Sequence, residues 1–286
     1  MTTMPSVVSH DADDLPSTPS TSAASAPSGP PAAAALLALS ARSLRTCRRE
    51  PSLSLGPIVM SAFFLLIYHG QLAETMARLV PGGSYAGFLV PLVLLTTAFS
   101  GGAIAGQLLL RDIDSGYHAR LALTPSRRGL VAGAHTLAGV VVITGQALAL
   151  LLLAWPLGLD LPHGVLGLVV VTGLVVTAGA GFLLLAVAAA LVTRSAAAVN
   201  VVTYVFFPLS FLTPMFVPRD HLSGWMAIAA DLNPLTYLLE GMRDALSAGW
   251  SLPTLGRGGL AALAVLLLGL GAVLAGLRHD AVEIDR

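Results

Sequence analysis

Of the 286 residues, 55% are hydrophobic and only 10% are charged, and the fifteen basic and fifteen acidic residues cancel. Because no basic face is present, the sequence excludes a nucleic-acid-binding protein. The high apolar and low charged fractions predict an all-α polytopic membrane protein. All fifteen basic residues are arginine, so the chain lacks the lysine with which a P-loop reaches the phosphates of ATP and cannot itself be a conventional P-loop ATPase.

The N-terminal region divides into a tail and an amphipathic segment. Residues 1–31 are rich in Ser, Pro, Ala and Thr and have no positive segment or apolar core. They do not match a signal peptide, and their composition predicts a disordered cytoplasmic tail.

Residues 32–50 are expected to form a helix in the inner membrane interface. The alternative interpretation of the same residues is a basic flank that only fixes the topology of the chain in the membrane. On a helical wheel one side holds Leu37, Ser40, Leu44 and Cys47, and the opposite side holds Arg42, Arg45 and Arg49.

The apolar stretches predict six membrane-spanning helices, since about 20 apolar residues cross a hydrocarbon core of ~30 Å. The first is the weakest, because Pro57 lies near its start and His69 near its end. The six predicted spans lie near 52–72, 85–110, 130–156, 164–192, 196–217 and 255–277.

The arginines beside the span ends predict the orientation. With the N-terminus inside, eleven arginines lie on the cytoplasmic side and four lie outside, a clear positive-inside asymmetry. Both termini are therefore expected in the cytoplasm, with residues 278–286 forming a second short tail.

Polar residues within the spans are few. The more conspicuous are Gln107, His135, Gln146 and Asn200, and the interior of the predicted spans holds no Asp, Glu or Arg. Ion-coupled carriers usually place such charges at membrane depth, so their absence argues against an ion-coupled carrier. His135 stands alone and is most simply an interhelical hydrogen-bonding residue. The sequence also has no HExxH motif and only one cysteine. We therefore expect neither a local metal motif nor an internal disulfide.

Two segments outside the spans carry more information. Residues 111–128 read RDIDSGYHARLALTPSRR, with six formal charges and a possible helix over 117–123. A helix so short would be ordered best in a groove on another protein, and a solvated charged loop is the alternative.

The second segment, residues 218–252, is expected on the outer side. Asn233 is suited to cap a helix that begins at Pro234, and Glu240 and Arg243 are positioned to pair across one turn. This predicts a short helix dipping into the outer leaflet, with a surface helix resting on the headgroups as the alternative.

These segments, RDIDSGYHARLALTPSRR and NPLTYLLEGMRDAL, resemble the type-2 ABC-transporter permeases over roughly residues 33–277. Within that family the sequence is most similar to the drug-efflux branch typified by the daunorubicin-resistance membrane subunit. The resemblance implies a separate ABC ATPase subunit that binds ATP and Mg²⁺, with two permeases and two ATPases in one exporter. The chain itself would hold no cofactor. A substrate route would run between the permeases, along their second and fifth spans.

The resemblance also implies roles for particular residues. The cytoplasmic loop would be the coupling helix that docks on the ATPase, although the family commonly has Glu where this chain has Asp114. The N-terminal helix would be the connecting helix, and the outer segment would form re-entrant helices that close an extracellular gate. The coupling residues are Asp114, Gly116, Arg120, Leu121, Thr124 and Pro125; the connecting-helix residues are Arg42, Arg45 and Arg49; the gate residues are Asn233, Pro234, Tyr237, Glu240 and Arg243.

The leading hypothesis is the permease subunit of an ATP-driven exporter in a bacterial cell membrane, moving a hydrophobic or amphipathic drug, antibiotic or lipid-like molecule. Its partners would be an ABC ATPase, a second permease copy or paralogue, and membrane lipid. The alternatives are an ion-coupled carrier that uses His135 and a non-transporting immunity or scaffold protein. An intramembrane enzyme is the least supported, because no paired carboxylates or Ser–His constellation occur at membrane depth.

Overall fold

A computed structural model describes residues 31–76, 84–116, 128–215 and 218–284. Over these residues the protein is helical and contains no strand, which confirms the predicted all-α class. Two single 3-10 turns, Trp155–Leu157 and Arg219–His221, join longer elements. The α-helices in the described ranges are α1 (Ala32–Arg49), α2 (Pro51–Met76), α3 (Tyr85–Asp114), α4 (Arg128–Ala154), α5 (Gly164–Thr193), α6 (Ala196–Phe211), α7 (Trp225–Leu232), α8 (Pro234–Ala245) and α9 (Leu252–Ile284).

Helix α3 forms the centre of the bundle. Ser84 caps the first turn of α3 by accepting a hydrogen bond from the backbone N–H of Ala86. In the most apolar stretch of α3, 89% of the residues are buried by the rest of the chain. Helices α2, α4, α5 and α6 pack around it. The resemblance places a substrate route along the second and fifth spans, whereas this structure buries the second span inside the single chain.

Small residues allow the outer helices to approach closely. The most extensive contact joins α5 to α9, where a Cβ added to Gly181 would lie 2.5 Å from the carbonyl oxygen of Val265. The same occurs between α3 and α5, where a Cβ on Gly106 would lie 2.7 Å from the carbonyl oxygen of Ala186. Glycine at these positions lets the backbones meet, which is a common form of helix packing in membranes.

Five helices in the described part of the chain are long and apolar enough to cross a membrane: α2, α3, α4, α5 and α9. The sequence predicts one more span over 196–217, the fifth of six in chain order, but α6 ends at Phe211 after 16 residues, a length of about 24 Å. Pro208 lies inside α6 and Pro214 follows it. Because each proline removes a backbone donor and restricts the preceding residue, the helix ends early.

Candidate functional sites at the two ends of the helical bundle

Two groups of polar side chains lie at opposite ends of α3. The first, the Asp112 cluster, contains Arg42, Ser43, Asp112 and His135. The second, the Arg243 cluster, contains Arg219, Asp231, Asn233, Glu240 and Arg243. Asp112 and Phe88, which contacts Arg243, are 24 positions apart on α3, a separation of about 36 Å along the helix. This exceeds a hydrocarbon core of ~30 Å, so the two clusters are far enough apart to lie at opposite membrane surfaces.

The Asp112 cluster is built around one buried carboxylate. Arg42 donates from both terminal nitrogens to the two oxygens of Asp112, each at 2.8 Å, which is the bidentate geometry of a strong ion pair. His135 lies 3.1 Å from Asp112 through Nε2, and this nitrogen must be the donor because a carboxylate only accepts. The other ring nitrogen, Nδ1, lies 3.0 Å from the hydroxyl of Ser43. Three helices, α1, α3 and α4, are thereby tied together.

Sequence reasoning placed these residues only in part. It proposed an interhelical hydrogen bond for His135, and the contacts with Ser43 and Asp112 confirm it. It placed Asp112 in the cytoplasmic loop after a span that ends near residue 110, but that loop begins later in the structure. Helix α3 continues to Asp114, and Asp112 is only 6% exposed.

The arginines of α1 have different environments. Arg45 is exposed and donates to the carbonyl of Ala41 in its own helix, and Arg49 is exposed as well. The helical wheel predicts that Arg42 extends into the headgroups with Arg45 and Arg49. The structure differs, because the long side chain of Arg42 turns towards Asp112.

The opposite face of α1 is mostly buried. Ser40 and Cys47 on this face are buried, whereas Leu37 is 62% exposed. Burial raises the pKa of the Cys47 thiol, which keeps it protonated and unreactive. Cys47 packs with Ile104 and Leu108 of α3 as a small apolar residue.

Two of the predicted coupling residues, Asp114 and Gly116, lie directly beyond the Asp112 cluster. Asp114 is exposed in the last turn of α3, and Gly116 turns the chain with a φ of 71°, a conformation that glycine adopts without strain. The remaining predicted coupling residues, Arg120, Leu121, Thr124 and Pro125, lie outside the described residues, as does the possible helix over 117–123.

At the other end of the bundle, Arg243 binds three backbone carbonyls. Its Nε donates to Phe88 of α3 at 3.0 Å, and its terminal nitrogens donate to Pro214 and Met215 at 2.7 and 3.0 Å. The guanidinium carbon lies 3.4 Å from the centre of the Phe88 ring, a cation–π contact. Arg243 thus joins α8 to the start of α3 and to the segment after α6.

Asn233 has two roles in the same region. Its side-chain oxygen accepts from the N–H of Leu235 at 3.0 Å, so the predicted cap of a helix that begins at Pro234 is confirmed. Its side-chain amide donates to the carbonyl of Leu209 in the last turn of α6 at 2.7 Å. The early end of α6 leaves carbonyls without helical partners, which is costly away from water. Asn233 and Arg243 supply the missing donors.

Glu240 does not pair with Arg243 as the helical spacing predicts. It accepts instead from Arg219, whose Nη1 lies 3.3 Å from its carboxylate, because the guanidinium of Arg243 is directed at the carbonyls. Arg219 also binds Asp231, and these contacts raise its pKa, the hydrogen bond with Asp231 contributing most. The hydroxyl of Tyr237 donates to the carbonyl of Asp231 at 2.7 Å. All five predicted gate residues, Asn233, Pro234, Tyr237, Glu240 and Arg243, therefore lie in or beside this cluster.

Two further polar residues join α3 to α6 nearer to the Asp112 end of the bundle. The amide of Gln107 on α3 donates to the side-chain oxygen of Asn200 on α6 at 3.3 Å. Within the described ranges, no three His, Cys, Asp or Glu side chains lie close enough together to hold a metal ion.

Comparison with known proteins assigns most of the chain to one protein family. The sequence profile of the ABC-2 type transporter family matches residues 34–247, a range that includes both clusters. The proteins named "Putative transport permease ycf38" from Pyropia yezoensis and Porphyra purpurea are each 26% identical over 202 residues, 68% of this chain and 68% of theirs. The protein of the same name from Cyanophora paradoxa is 25% identical over 206 residues, with the same coverage of each chain. The protein is a multi-pass membrane transport subunit and belongs to the ABC-2 type transporter family.

Proposed function

We propose that the chain is the permease subunit of an ATP-driven exporter, powered by a separate ABC ATPase that docks on the segment after α3. The observation that carries this proposal is the Asp112 cluster. It ties α1 and α4 to the last turn of α3, two residues before Asp114. A force applied to the coupling segment would therefore reach three helices at once.

The proposed mechanism uses α3 as a lever. Movement of the ATPase displaces Asp114 and Gly116, and Asp112 passes the displacement to α1 through Arg42 and to α4 through His135. At the far end of α3, the carbonyl of Phe88 is held by Arg243. The same displacement thus reaches α8 and the end of α6, where it would open or close the extracellular gate.

The proposed topology has six crossings, with α6 and the residues after it completing the fifth. Its short length is compatible with this because Asn233 binds a carbonyl in its last turn and Arg243 binds two carbonyls just beyond it. Both termini would be cytoplasmic in a bacterial cell membrane. Helix α1 would lie at the inner surface, and α7 and α8 would form the re-entrant segment of the outer leaflet.

A second copy or paralogue of the permease would complete the translocation route. Helix α2 is the most exposed of the spanning helices, with 11% of its apolar window buried, and α6 exposes Val201, Tyr204 and Phe207. These apolar faces are available to lipid and to the second permease. The cargo proposed from the drug-efflux resemblance is a hydrophobic or amphipathic small molecule.

The energy source is the property that separates this proposal from an ion-coupled carrier. In everted membrane vesicles that contain the chain and its ATPase, a hydrophobic or amphipathic probe such as daunorubicin should accumulate when ATP is supplied. Accumulation should persist when a protonophore and sodium ionophore collapse the ion gradients. Loss of accumulation at constant ATP, together with inactivity of His135→Ala, would favour the carrier. His135 has both ring nitrogens engaged by Ser43 and Asp112, which supports a structural role.

A further inference from the structure

An open groove lies between the start of α9 and the junction of α7 with α8. It has a volume of about 460 Å³, within the size range of small-ligand sites. One side is formed by α9 and the other by the α7–α8 junction. The lining residues are Leu232, Pro234, Tyr237, Arg257, Leu260 and Ala261.

Arg257 is the charged residue of this groove. It is exposed, and no carboxylate in the described part of the chain bonds to it. Asp231 and Glu240 are bound to Arg219 instead. A guanidinium remains charged at any physiological pH, so its position on an apolar spanning helix calls for an anionic partner or water.

The position of Arg257 along α9 determines which part of a lipid it would meet. It lies five residues after Leu252, where the candidate span begins, or about 7.5 Å into the helix. Side chains on a helix lean towards its N-terminus, so the guanidinium extends back towards the membrane surface. Leu260 and Ala261 lie one turn deeper, and Leu260 is 67% exposed. A charged group at the surface above an apolar wall matches a phosphate above an acyl chain.

Helix α7, which contributes Leu232 to the groove, also has the character of a membrane interface. Trp225, Ile228 and Leu232 recur at spacings of three and four on α7 and are 72%, 63% and 80% exposed. They form an apolar stripe with a tryptophan at one end, which is typical of a helix lying at the boundary of headgroups and acyl chains.

We infer that this groove binds one anionic phospholipid, with Arg257 holding the phosphate and the acyl chain lying against Leu232 and Leu260. Guanidinium and phosphate form bidentate charge-assisted hydrogen bonds. An anionic headgroup is preferred over a zwitterionic one because it has no cation to oppose Arg257. The inference does not depend on the exporter mechanism; only the leaflet, the outer one, follows from the proposed orientation.

The test is lipid titration of the full-length detergent-purified protein by native mass spectrometry, with phosphatidylglycerol and phosphatidylcholine as probes. The wild type should retain one phosphatidylglycerol per chain more tightly than phosphatidylcholine. Arg257→Gln should weaken that binding about tenfold, because the Gln amide can replace only one of the two charge-assisted hydrogen bonds. Leu260→Trp, which fills the groove without changing charge, should weaken it as well.

Arg278→Gln is the matched control, since Arg278 is exposed at the other end of the same helix. It should leave the tight phosphatidylglycerol site intact. Equal binding of the two lipids by the wild type, or unchanged phosphatidylglycerol binding in Arg257→Gln, would overturn the inference. Unchanged lipid binding combined with loss of the dimer in Arg257→Gln would assign the groove to a second copy of the chain.

Discussion

The ion pair between Arg42 and Asp112 should be a main stabilising contact between α1 and the bundle. In Arg42→Met, the carboxylate of Asp112 stays buried and keeps His135 as its partner, but it loses two hydrogen bonds of 2.8 Å each. Breaking a fully buried pair costs about 3–5 kcal/mol. The side chain of Arg42 is 40% exposed and is partly screened by solvent, so we expect a loss of about 2–3 kcal/mol.

Arg45→Met is the matched control. Arg45 lies on the same helix, is exposed and bonds only to the carbonyl of Ala41 among the described contacts, so its loss should change stability by less than about 0.5 kcal/mol. The assay is thermal unfolding of the detergent-purified protein, followed by tryptophan fluorescence. Arg42→Met should lower the midpoint by roughly 5–10 °C, taking about 2–4 °C per kcal/mol for a chain of this size.

A double-mutant cycle isolates the pair from other effects of either substitution. Asp112→Asn retains the shape of the side chain and an acceptor for His135 while removing the charge. If the pair contributes as the geometry indicates, Arg42→Met and Asp112→Asn should show an interaction energy of about 1.5–3 kcal/mol. Additive effects, or an Arg42→Met midpoint within 2 °C of that of Arg45→Met, would refute the reasoning.

Two further substitutions test the other end of the bundle and its packing. Arg243→Met should destabilise the protein by about 3–6 kcal/mol in the same unfolding assay, because three buried carbonyls lose a charged donor; a loss below 1 kcal/mol would show that water replaces the guanidinium. Gly181→Val should disrupt the α5–α9 contact, since even a Cβ would lie 2.5 Å from a backbone oxygen, and should abolish recovery of monodisperse protein. Gly173→Val on the same helix has open space around its Cβ position and should behave as the wild type; equal behaviour of the two variants would contradict the packing described here.

The sequence was informative where a local pattern decides the structure. Apolar length located the long helices, and the Asn233–Pro234 dipeptide located the start of α8. The end of α6 was predicted six residues too late, because hydropathy does not register the interruption by Pro208 and Pro214. The prolines were visible in the sequence and were the signal that could have corrected it.

Side-chain contacts between distant helices were harder to predict from the sequence. Nothing in the pattern around Asp112 distinguishes it from the other charges of the loop, since its burial depends on Arg42, 70 positions away. In the same way, the spacing of Glu240 and Arg243 permits a helical pair, but carbonyls of distant segments compete for Arg243. The recognition of His135 as a hydrogen-bonding residue was correct, although its partners could not be named from the sequence.

Docking of an ABC ATPase on the segment after α3 is tested most directly by affinity purification of the tagged protein from its native membranes in mild detergent. Mass spectrometry should find an ABC ATPase at one copy per permease. Arg120→Glu should lose the ATPase, while Arg278→Glu, at the end of α9, should retain it. A pure, folded permease recovered without any ATPase, or equal recovery with Arg120→Glu and the wild type, would contradict docking at this segment.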